Sequence, residues 1–427
     1  MALCIDKNKL SKDQIAIIRK LLVIKPKIEG KYKSNGKLIY FFEADQTTVK
    51  VPYLFGASLM NVIPNISNTF IGTNISFIGE LRPPQEYVFN EGLSLIQSKG
   101  TVTLALHPGF GKTVLGVKFT TEFKLLTVVI VHREILVGQW KGSYSKFSDA
   151  KIWVVGDKQP EIFDVIICMP GRWSKIPDRL RSHIGVLIID EAHCLCTESS
   201  VKCLLSFQPR YIIALSATPE RDDNLHQMLY ALCGEHAIYR QSEIPFVVVK
   251  VNTGFIPDRE HNPDGTVKWN SVQKSLSVSD DRNELILKLV KNNLTENILI
   301  LTKLVDHAKH LQQLISQFED KCDYLCGNKN VYNDGKVLVG TVSKIGTGFD
   351  QASSCANFSG NRFNVLILAT SIKKYSTIIQ SVGRVFRCDN PLIYHLVDED
   401  GIIKNHWYFC RKWYLSRNAD IREIKKY

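Results

Sequence analysis

Two blocks of this chain alternate short apolar runs with stretches of helical periodicity, and this alternation restricts the fold more than any other feature of the sequence. The runs are rich in β-branched residues, as expected of strands that are buried on both faces. Strands that alternate with helices predict a parallel sheet covered by helices, so the predicted fold class is α/β. The runs are 102–106, 126–131, 152–155, 164–168, 186–189 and 211–215 in the first block, and 298–301, 337–340, 365–369 and 393–397 in the second.

The positions of these blocks also predict how the 427 residues divide into domains. The N-terminal part combines a helix at 12–22 with strands at 37–43 and 47–53. A further strand at 246–251 precedes a polar, turn-rich stretch. The predicted segments are an accessory domain at 1–78, a first α/β domain at 79–245, a linker or hairpin at 246–281, a second α/β domain at 282–400 and a basic, aromatic helix at 401–427 that either contacts nucleic acid or docks on the protein.

Charge and composition narrow the class of protein. The chain has 54 Lys and Arg against 42 Asp and Glu, a formal net charge of +12, and a basic surface favours nucleic acid as a partner. No apolar run reaches the roughly 18–20 residues that cross a bilayer, and the N-terminus lacks a secretory core, so no membrane association is expected. Eleven cysteines without a CxxC pair argue against zinc and for reduced thiols, which predicts an intracellular location in cytoplasm, nucleus or virion.

The sequence HPGFGKT at 107–113 predicts a phosphate-binding loop, because it follows a strand and precedes a helical stretch. Gly109 and Gly111 let backbone N–H groups point at phosphate oxygens, and a following helix adds positive charge at its N-terminus. Lys112 is expected to reach the β- and γ-phosphates of ATP, and Thr113 to bind Mg²⁺. The common pattern has a glycine where Leu106 stands, so a glycine-rich turn that binds nothing is the alternative. Two further residues, Pro108 and Phe110, complete the loop.

A pair of carboxylates, Asp190 and Glu191, ends the apolar run 186–189. The carboxyl end of a parallel strand is where ligands bind in such sheets. Asp190 is placed to hold Mg²⁺, and Glu191 to activate the attacking water. Acidic residues also end strands as helix caps, but a phosphate loop upstream favours the catalytic interpretation.

The tetrapeptide DEAH at 190–193 resembles the signature of superfamily 2 helicases, and further motifs of that family follow in the expected order over residues 80–398. The segment SATPERDD at 216–223 resembles motif III of the xeroderma pigmentosum group B-like branch. The short chain and its PGFGKT loop are most similar to compact helicases of large DNA viruses, such as the poxvirus transcript-release helicases. The remaining matches are the Arg-x-x-Gln element at 82–85, motif Ia at 130–140, motif Ib at 169–172 with Met169 in place of the usual Thr, motif IV at 298–303, motif V at 339–350 and motif VI at 380–387.

The resemblance implies two RecA-like lobes and assigns roles to individual residues. Arg384 and Arg387, three apart on a presumed helix face, would act as arginine fingers with Gln380 nearby; a solvated basic helix face is the alternative. The other implied roles are adenine recognition by Arg82 and Gln85, ribose contact by Asp350, coupling by His193, Ser216 and Thr218, and phosphate contacts to nucleic acid by Arg133, Gly171, Arg172, Thr302 and Thr341. The alternative for His193 is an ordinary core histidine, and the alternative for Ser216 and Thr218 is a plain β-turn. Each of the residues assigned to nucleic acid could instead be merely structural.

These features predict an ATP-dependent nucleic-acid helicase or translocase that uses ATP and Mg²⁺. The resemblance favours DNA over RNA and suggests transcription or replication machinery as a partner. Two alternatives stay open at this point. One is a nucleotide-gated clamp with a vestigial ATPase, and the other is a translocase that remodels protein–DNA complexes without separating strands.

Overall fold

The computed structural model describes residues 2–27, 37–61, 70–346 and 349–424. The chain divides into two compact units, Met1–Gln241 and Ser242–Tyr427. All eleven cysteines are free thiols. Within the described ranges, no helix combines the length and apolar character needed to cross a membrane.

The N-terminal segment of the first unit contains two small antiparallel sheets, with strand order β1-β5-β4 in one and a β2-β3 pair in the other. Its helix α1 begins with a capping box between Ser11 and Gln14, and its apolar side chains Ile18 and Leu22 join the same core cluster as Leu187 of the main sheet. The segment therefore shares a core with the rest of this unit. Its elements are β1 (Leu3–Asp6), α1 (Lys12–Leu22), β2 (Val23–Ile24), β3 (Ile39–Tyr40), β4 (Glu43–Ala44), β5 (Thr48–Val51) and α2 (Tyr53–Leu59).

A seven-stranded sheet forms the body of the first unit, in the order β12-β6-β11-β10-β7-β9-β8 with all pairs parallel. Its central strands are buried throughout, and apolar clusters cover both faces. The elements are α3 (Pro83–Lys99), β6 (Thr101–Leu106), α4 (Lys112–Phe123), β7 (Thr127–Ile130), α5 (Glu134–Phe147), β8 (Ile152–Val154), β9 (Val165–Cys168), α6 (Asp178–Arg181), β10 (Val186–Ile189), α7 (Ala192–Leu195), α8 (Val201–Leu204), β11 (Tyr211–Ser216), α9 (Gln227–Cys233) and β12 (Ala237–Arg240).

The second unit contains another seven-stranded parallel sheet, ordered β15-β16-β14-β17-β18-β13-β19. Two such sheets confirm the predicted α/β fold of paired RecA-like lobes. The elements are β13 (Val247–Asn252), α10 (Trp269–Val278), α11 (Asp280–Lys291), β14 (Ile298–Thr302), α12 (Val305–Ile315), β15 (Cys322–Leu325), β16 (Val337–Thr341), α13 (Val342–Ile345), α14 (Gln351–Ser354), β17 (Val365–Leu368), α15 (Tyr375–Val382), β18 (Leu392–Val397), α16 (Gly401–Ser416) and β19 (Asp420–Ile424).

Two predicted segments differ from the structure. The expected linker at 246–281 contains β13, which pairs with β18 and β19 inside the second sheet, so this stretch is part of the second unit. A small hairpin does occur within it, where His261 bridges to Val267. The expected basic helix at 401–427 ends at Ser416, and strand β19 follows at the sheet edge. The aromatic residues Trp407, Trp413 and Tyr414 of α16 are buried, because the helix docks on the sheet through them.

Candidate active site

The loop between β6 and α4 has the strand–turn–helix frame that a phosphate loop requires. Gly109 and Gly111 adopt φ angles of 86° and 101°, a region that side chains other than glycine rarely occupy. A Cβ atom placed on Gly111 would lie 2.2 Å from Nε2 of Gln85. Position 111 therefore demands glycine for two independent reasons, its backbone conformation and the close approach of Gln85.

Leu106, which stands where the common pattern has glycine, is the last residue of β6 and is fully buried. The Nζ atom of Lys112 donates a hydrogen bond of 3.0 Å to the carbonyl oxygen of Leu106. The departure from the pattern thus adds a side chain to the core of the sheet, and the loop backbone after it still makes the glycine turn. Leu106 is therefore compatible with the loop geometry, and the choice between a phosphate loop and a glycine-rich turn that binds nothing stays a prediction.

The predicted adenine-reading residues lie against this loop. Oε1 of Gln85 accepts the backbone N–H of Arg82 at 3.0 Å, and Nε2 of Gln85 donates to the carbonyl of Phe110 at 2.9 Å. The Arg82 guanidinium donates to the same carbonyl. Both side chains therefore connect the start of α3 to the turn of the loop.

A cavity of about 540 Å³ opens beside this contact. Tyr87 at its rim is 74% exposed, which leaves a flat aromatic face available to a ligand. Arg240 and Glu91 form an ion pair of 2.6 Å at its wall. The lining consists of Pro83, Pro84, Tyr87, Glu91, Phe110 and Arg240.

Asp190 and Glu191 follow directly after β10, as predicted. Oδ2 of Asp190 accepts a hydrogen bond of 2.8 Å from the indole N–H of Trp140, and Oδ1 accepts the backbone N–H of Glu191 at 3.0 Å. Burial and the charge of Glu191 raise the pKa of Asp190, while the Trp140 hydrogen bond and the charge of Lys112 oppose that rise. Lys112 is thus close enough to act on Asp190, and the two predicted motifs meet in one site.

The backbone of Glu191 is unusual, because its φ angle is 46° and it is not glycine. Left-handed conformations of such residues are strained, and they cluster at functional sites, where the surrounding structure enforces them. Here the turn between β10 and α7 enforces it, since Glu191 is the N-cap residue of α7. Asp190 and Glu191 thus both lie in the short turn that connects the end of β10 to α7.

The predicted coupling residues are in mutual contact. Nδ1 of His193 lies 2.8 Å from Oγ of Ser216, and the same hydroxyl accepts the backbone N–H of Thr218 at 3.0 Å. Burial lowers the pKa of His193, although the charge of Glu191 opposes this, so the imidazole is neutral near pH 7. Arg221 adds a bond of 2.5 Å from its guanidinium to the carbonyl of His193. The end of β11 is therefore connected to the turn that carries Glu191.

In the second unit, the residues of motifs V and VI are joined to each other. Arg387 donates to Oδ1 of Asp350 at 2.6 Å, and Arg384 donates to the carbonyls of Gly346 and Phe349 at 2.6 and 2.5 Å. Burial acts to raise the pKa of Asp350, but the charge and hydrogen bond of Arg387 outweigh it and hold this pKa below its usual value. Gln380 is buried on α15.

The expectation that Arg384 and Arg387 lie on a helix is wrong. Helix α15 ends at Val382, and the chain continues through tighter turns in which Arg384 N–H bonds to the carbonyl of Ser381. Three-residue hydrogen bonds of this kind end the regular helical spacing. The two guanidiniums still reach neighbouring residues, since Arg384 bonds to Gly346 and Phe349 and Arg387 bonds to Asp350.

The candidate contacts to nucleic acid fall into two groups. In the first unit, Arg133 is the N-cap residue of α5, Gly171 is exposed, and Arg172 pairs with Glu134 at 3.5 Å. In the second unit, Thr302 and Thr341 are register partners at the carboxyl ends of β14 and β16. The structure buries both threonines, and the Thr302 hydroxyl donates to the carbonyl of Leu304, so these two side chains are not presented at a surface.

Sequence reasoning assigned no role to Trp140 or Tyr87. Trp140 appeared within motif Ia, but a buried aromatic residue in a helix is ordinarily interpreted as core. Its contact with Asp190 depends on how α5 packs against β10, which no local pattern reveals. Tyr87 lies two residues after Gln85, and this nearness to a predicted adenine-reading residue was a weak indication that it also lines the site.

Comparison with known proteins shows which proteins this chain is similar to. Residues 78–221 match the family model described as the type III restriction enzyme, res subunit. Putative helicase 161L of Invertebrate iridescent virus 6 is 28% identical, and the match covers 94% of this chain and 96% of that protein. The transcript termination protein A18 of Vaccinia virus is 23% identical over 77% of this chain and 72% of its own length.

Two further similarities concern a shorter region and the fold. The DNA 3'-5' translocase XPB2 of Sulfurisphaera tokodaii is 29% identical over 33% of this chain and 31% of that protein. The S. cerevisiae protein Dbp5, solved bound to RNA and ADP BeF3, superimposes with a TM-score of 0.56 at 13% identity, covering 81% of this chain and 94% of that one. At this identity the likeness concerns the fold alone.

Proposed function

We propose that this chain, which is similar to superfamily 2 helicases, hydrolyses ATP to ADP and phosphate and uses the energy to move along or unwind nucleic acid. The observation that carries the proposal is the meeting of the phosphate loop and the DEAH turn. Lys112 of the loop lies close enough to the buried carboxylate Asp190 to oppose the rise of its pKa. A lysine at the start of α4 and two carboxylates at the end of β10 would form a site for a nucleoside triphosphate and the hydrolysis of its phosphoanhydride bond.

The roles within this site follow from the chemistry of each group. The loop amides and Lys112 would bind the β- and γ-phosphates, and the N-terminus of α4 would favour their negative charge. Glu191 would accept a proton from the attacking water, because an ionised carboxylate at the end of β10, next to the proposed metal ligand Asp190, is a suitable general base. His193, Ser216 and Thr218 would carry the state of the phosphate toward the rest of the unit through the contacts that join them.

Mg²⁺ fits the residues present. Thr113 supplies a hydroxyl at the start of α4, and Asp190 supplies a carboxylate whose charge is disfavoured by burial and by Glu191. This ion prefers such hard oxygen ligands, and a divalent charge would stabilise the ionised form of Asp190. Bound there, it would neutralise charge that develops on the phosphates.

The nucleoside would occupy the cavity beside Arg82 and Gln85. Both residues contact the loop carbonyl of Phe110, so the base would be read next to its own phosphates. The volume of about 540 Å³ is ample for a purine, and Tyr87 offers a stacking face. In the second unit, Asp350, Gln380, Arg384 and Arg387 remain the predicted ribose and γ-phosphate residues.

The proposed track for nucleic acid uses positive charge along motifs Ia and Ib, with Arg133, Gly171 and Arg172 as its first-unit contacts. The net charge of +12 supports a polyanionic partner. We favour DNA because part of this chain is similar to a DNA translocase. Transcription machinery is the favoured partner assembly, since a relative is named a transcript termination protein. Thr302 and Thr341 would contribute through the loops that follow them.

The deciding experiment measures ATP hydrolysis by the purified chain with single-stranded DNA, duplex DNA or RNA at a stated salt concentration. The expected result is stimulation by DNA and its loss in Lys112→Ala. A Lys118→Ala variant, which removes a half-buried lysine of the same helix that pairs with Glu122, is the control. Wild-type protein that binds nucleotide without turning it over under any of these conditions would reject hydrolysis and leave the nucleotide-gated clamp.

Translocation without strand separation is the second candidate function, favoured by the similarity to a protein named a translocase. The two functions differ in their products. A forked duplex reports strand separation, and a protein block on intact duplex reports displacement. If ATP drives displacement of the block but no separation of the forked strands, the chain is a remodelling translocase.

A further inference from the structure

Trp140 connects two parts of the nucleotide site that are far apart in sequence. Its side chain is fully buried in α5, and its indole N–H donates a hydrogen bond of 2.8 Å to Oδ2 of Asp190. Asp190 is itself 5% exposed and lies beside a second carboxylate, Glu191. The indole therefore contacts the carboxylate at the end of β10 from a neighbouring helix.

The same indole ring also contacts the helix of the phosphate loop. A Cβ atom on Gly116 would lie 2.5 Å from Cη2 of Trp140, so the ring fits against α4 at a position where only hydrogen is tolerated. Gly116 lies one turn after Lys112 and Thr113. One rigid side chain thus fixes the spacing between the loop helix and Asp190.

A second aromatic residue of α5 provides a natural comparison. Tyr144 lies one turn after Trp140, is equally buried, and its hydroxyl lies 2.8 Å from Oγ1 of Thr120 on α4. Both residues tie α5 to its surroundings by one buried hydrogen bond each. They differ in the partner, because Trp140 bonds to the carboxylate and Tyr144 bonds to a helix hydroxyl.

A neutral donor suits a carboxylate that must later hold a cation. A lysine or arginine at this place would fix Asp190 by neutralising its charge, and it would compete with a divalent ion for the same oxygen. An indole N–H orients the carboxylate and leaves its charge in place. The second oxygen, Oδ1, is held by the backbone N–H of Glu191, so each oxygen has a defined direction.

We propose that Trp140 is a positioning residue of the nucleotide site, which orients the Asp190 carboxylate for a divalent cation and sets its distance from the loop helix. The inference rests on the proposed function of this site in binding Mg²⁺ and ATP. It assigns to Trp140 an effect on metal-dependent nucleotide binding beyond its contribution to the core.

The test compares Trp140→Phe with Tyr144→Phe in the full chain. Each variant removes one buried hydrogen bond from α5 and keeps an aromatic ring. Binding of a fluorescent ATP analogue is titrated with Mg²⁺ and repeated in EDTA, and thermal unfolding is recorded for both. We expect Trp140→Phe to raise the half-saturating Mg²⁺ concentration by about tenfold, the effect of losing a hydrogen bond to a charged group, with EDTA binding unchanged. Tyr144→Phe should leave the Mg²⁺ dependence at the wild-type value.

Two further variants keep the test decisive. Benzothienylalanine in place of Trp140 has a nearly identical shape and lacks the N–H donor, so it replaces the Phe variant if that protein does not fold. Gly116→Ala should shift the Mg²⁺ dependence in the same direction, because the new methyl group displaces the ring. Equal Mg²⁺ dependence of wild type and the donor-free variant would overturn the inference. Wild-type protein without any Mg²⁺-dependent nucleotide binding would instead overturn the proposed function.

Discussion

At the scale of single residues, the site is shaped by contacts that exclude other side chains. Gly111 is required by its φ angle of 101° and by Gln85, whose amide would lie 2.2 Å from any Cβ atom there. Gln85 in turn is held by Arg82 N–H and the carbonyl of Phe110. The predicted phosphate loop and the predicted base-reading element are therefore in direct contact, and we expect a change in either to alter both.

Glu191→Gln is expected to slow ATP hydrolysis by about 100-fold or more while nucleotide binding survives, because the amide cannot accept the proton of the attacking water. The measurement is phosphate release under saturating ATP, together with binding of a fluorescent nucleotide. Glu198→Gln is the matched control, since Glu198 is an exposed residue of the same unit that pairs with Lys37. Hydrolysis by Glu191→Gln at the wild-type rate would contradict the assignment of the base.

Arg387→Ala and Arg384→Ala are expected to fail in different ways. Arg387 is a predicted γ-phosphate residue, so its loss should slow hydrolysis by about a thousandfold. Because its side chain bonds to a single carboxylate, that of Asp350, the fold of the second unit should stay largely intact. Arg384 bonds to the carbonyls of Gly346 and Phe349, so its loss should also lower the thermal stability of this unit. Single-turnover hydrolysis and thermal unfolding separate the two effects. Arg422→Ala, at an exposed arginine of the same unit, is the control.

At the scale of helices and strands, burial decides what the sequence could predict. Strands with two buried faces, such as β10 and β14, are continuous apolar runs and were predicted closely. At the edges of the two seven-stranded sheets, β8 was predicted, but β12, β15 and β19 were not. Each has partly exposed positions and polar residues, as in Asp420–Ile424, so the apolar run that marks a strand is missing.

For the candidate site, the sequence predicted the residues but not the contacts between them. Its residues were identified from motif order, because loops at strand ends carry short, characteristic sequences. Their partners were not, since the bonds from His193 to Ser216 and from Trp140 to Asp190 join elements that only folding brings together. The placement of Arg384 and Arg387 on one helix was wrong for a local reason, because α15 ends at Val382 before either residue.

Helix α16 allows a direct test of docking against nucleic-acid contact. Trp407 is buried, whereas its neighbour Tyr408 is 59% exposed. Trp407→Ala should reduce the free energy of unfolding by about 3–5 kcal/mol, the usual cost of removing a large core aromatic side chain. Tyr408→Ala should change it by less than about 0.5 kcal/mol. Urea denaturation of both variants gives these values. A loss of nucleic-acid affinity in Tyr408→Ala at unchanged stability would restore the contact interpretation for this helix.

At the scale of the whole molecule, each unit places several of its predicted site residues at the carboxyl ends of its parallel strands. In the first unit these ends carry Asp190 after β10 and Ser216 at the end of β11. In the second unit they carry Thr302 and Thr341. The strands themselves are apolar and buried, so chemistry is confined to their ends, as parallel α/β sheets require. The cores also contain buried titratable groups, and we expect these to make the stability of the fold depend on pH.

Two buried histidines make the second unit sensitive to acid. Burial and the charge of Arg282 lower the pKa of His307 to about 3, and burial lowers the pKa of His395 to about 3. In the unfolded chain both regain a pKa of about 6.5. Between these values the unfolded state binds more protons, so stability is lost as the pH falls below 6.5. At pH 5 the loss should be about 2 kcal/mol for each histidine relative to pH 7.

Denaturation by urea at pH 7 and pH 5 measures this loss, and His307→Gln isolates one part of it. His307 lies 2.9 Å from Oδ1 of Asn283, and a glutamine can offer an N–H to the same oxygen without binding a proton. The variant should therefore be about 2 kcal/mol less sensitive to the pH change than the wild type. Gln313→Ala, at an exposed position of the same helix that carries no titratable group, should keep the wild-type response. Equal pH responses of the His307 variant and the wild type would mean that His307 titrates alike in the folded and unfolded states, and that burial does not hold it neutral.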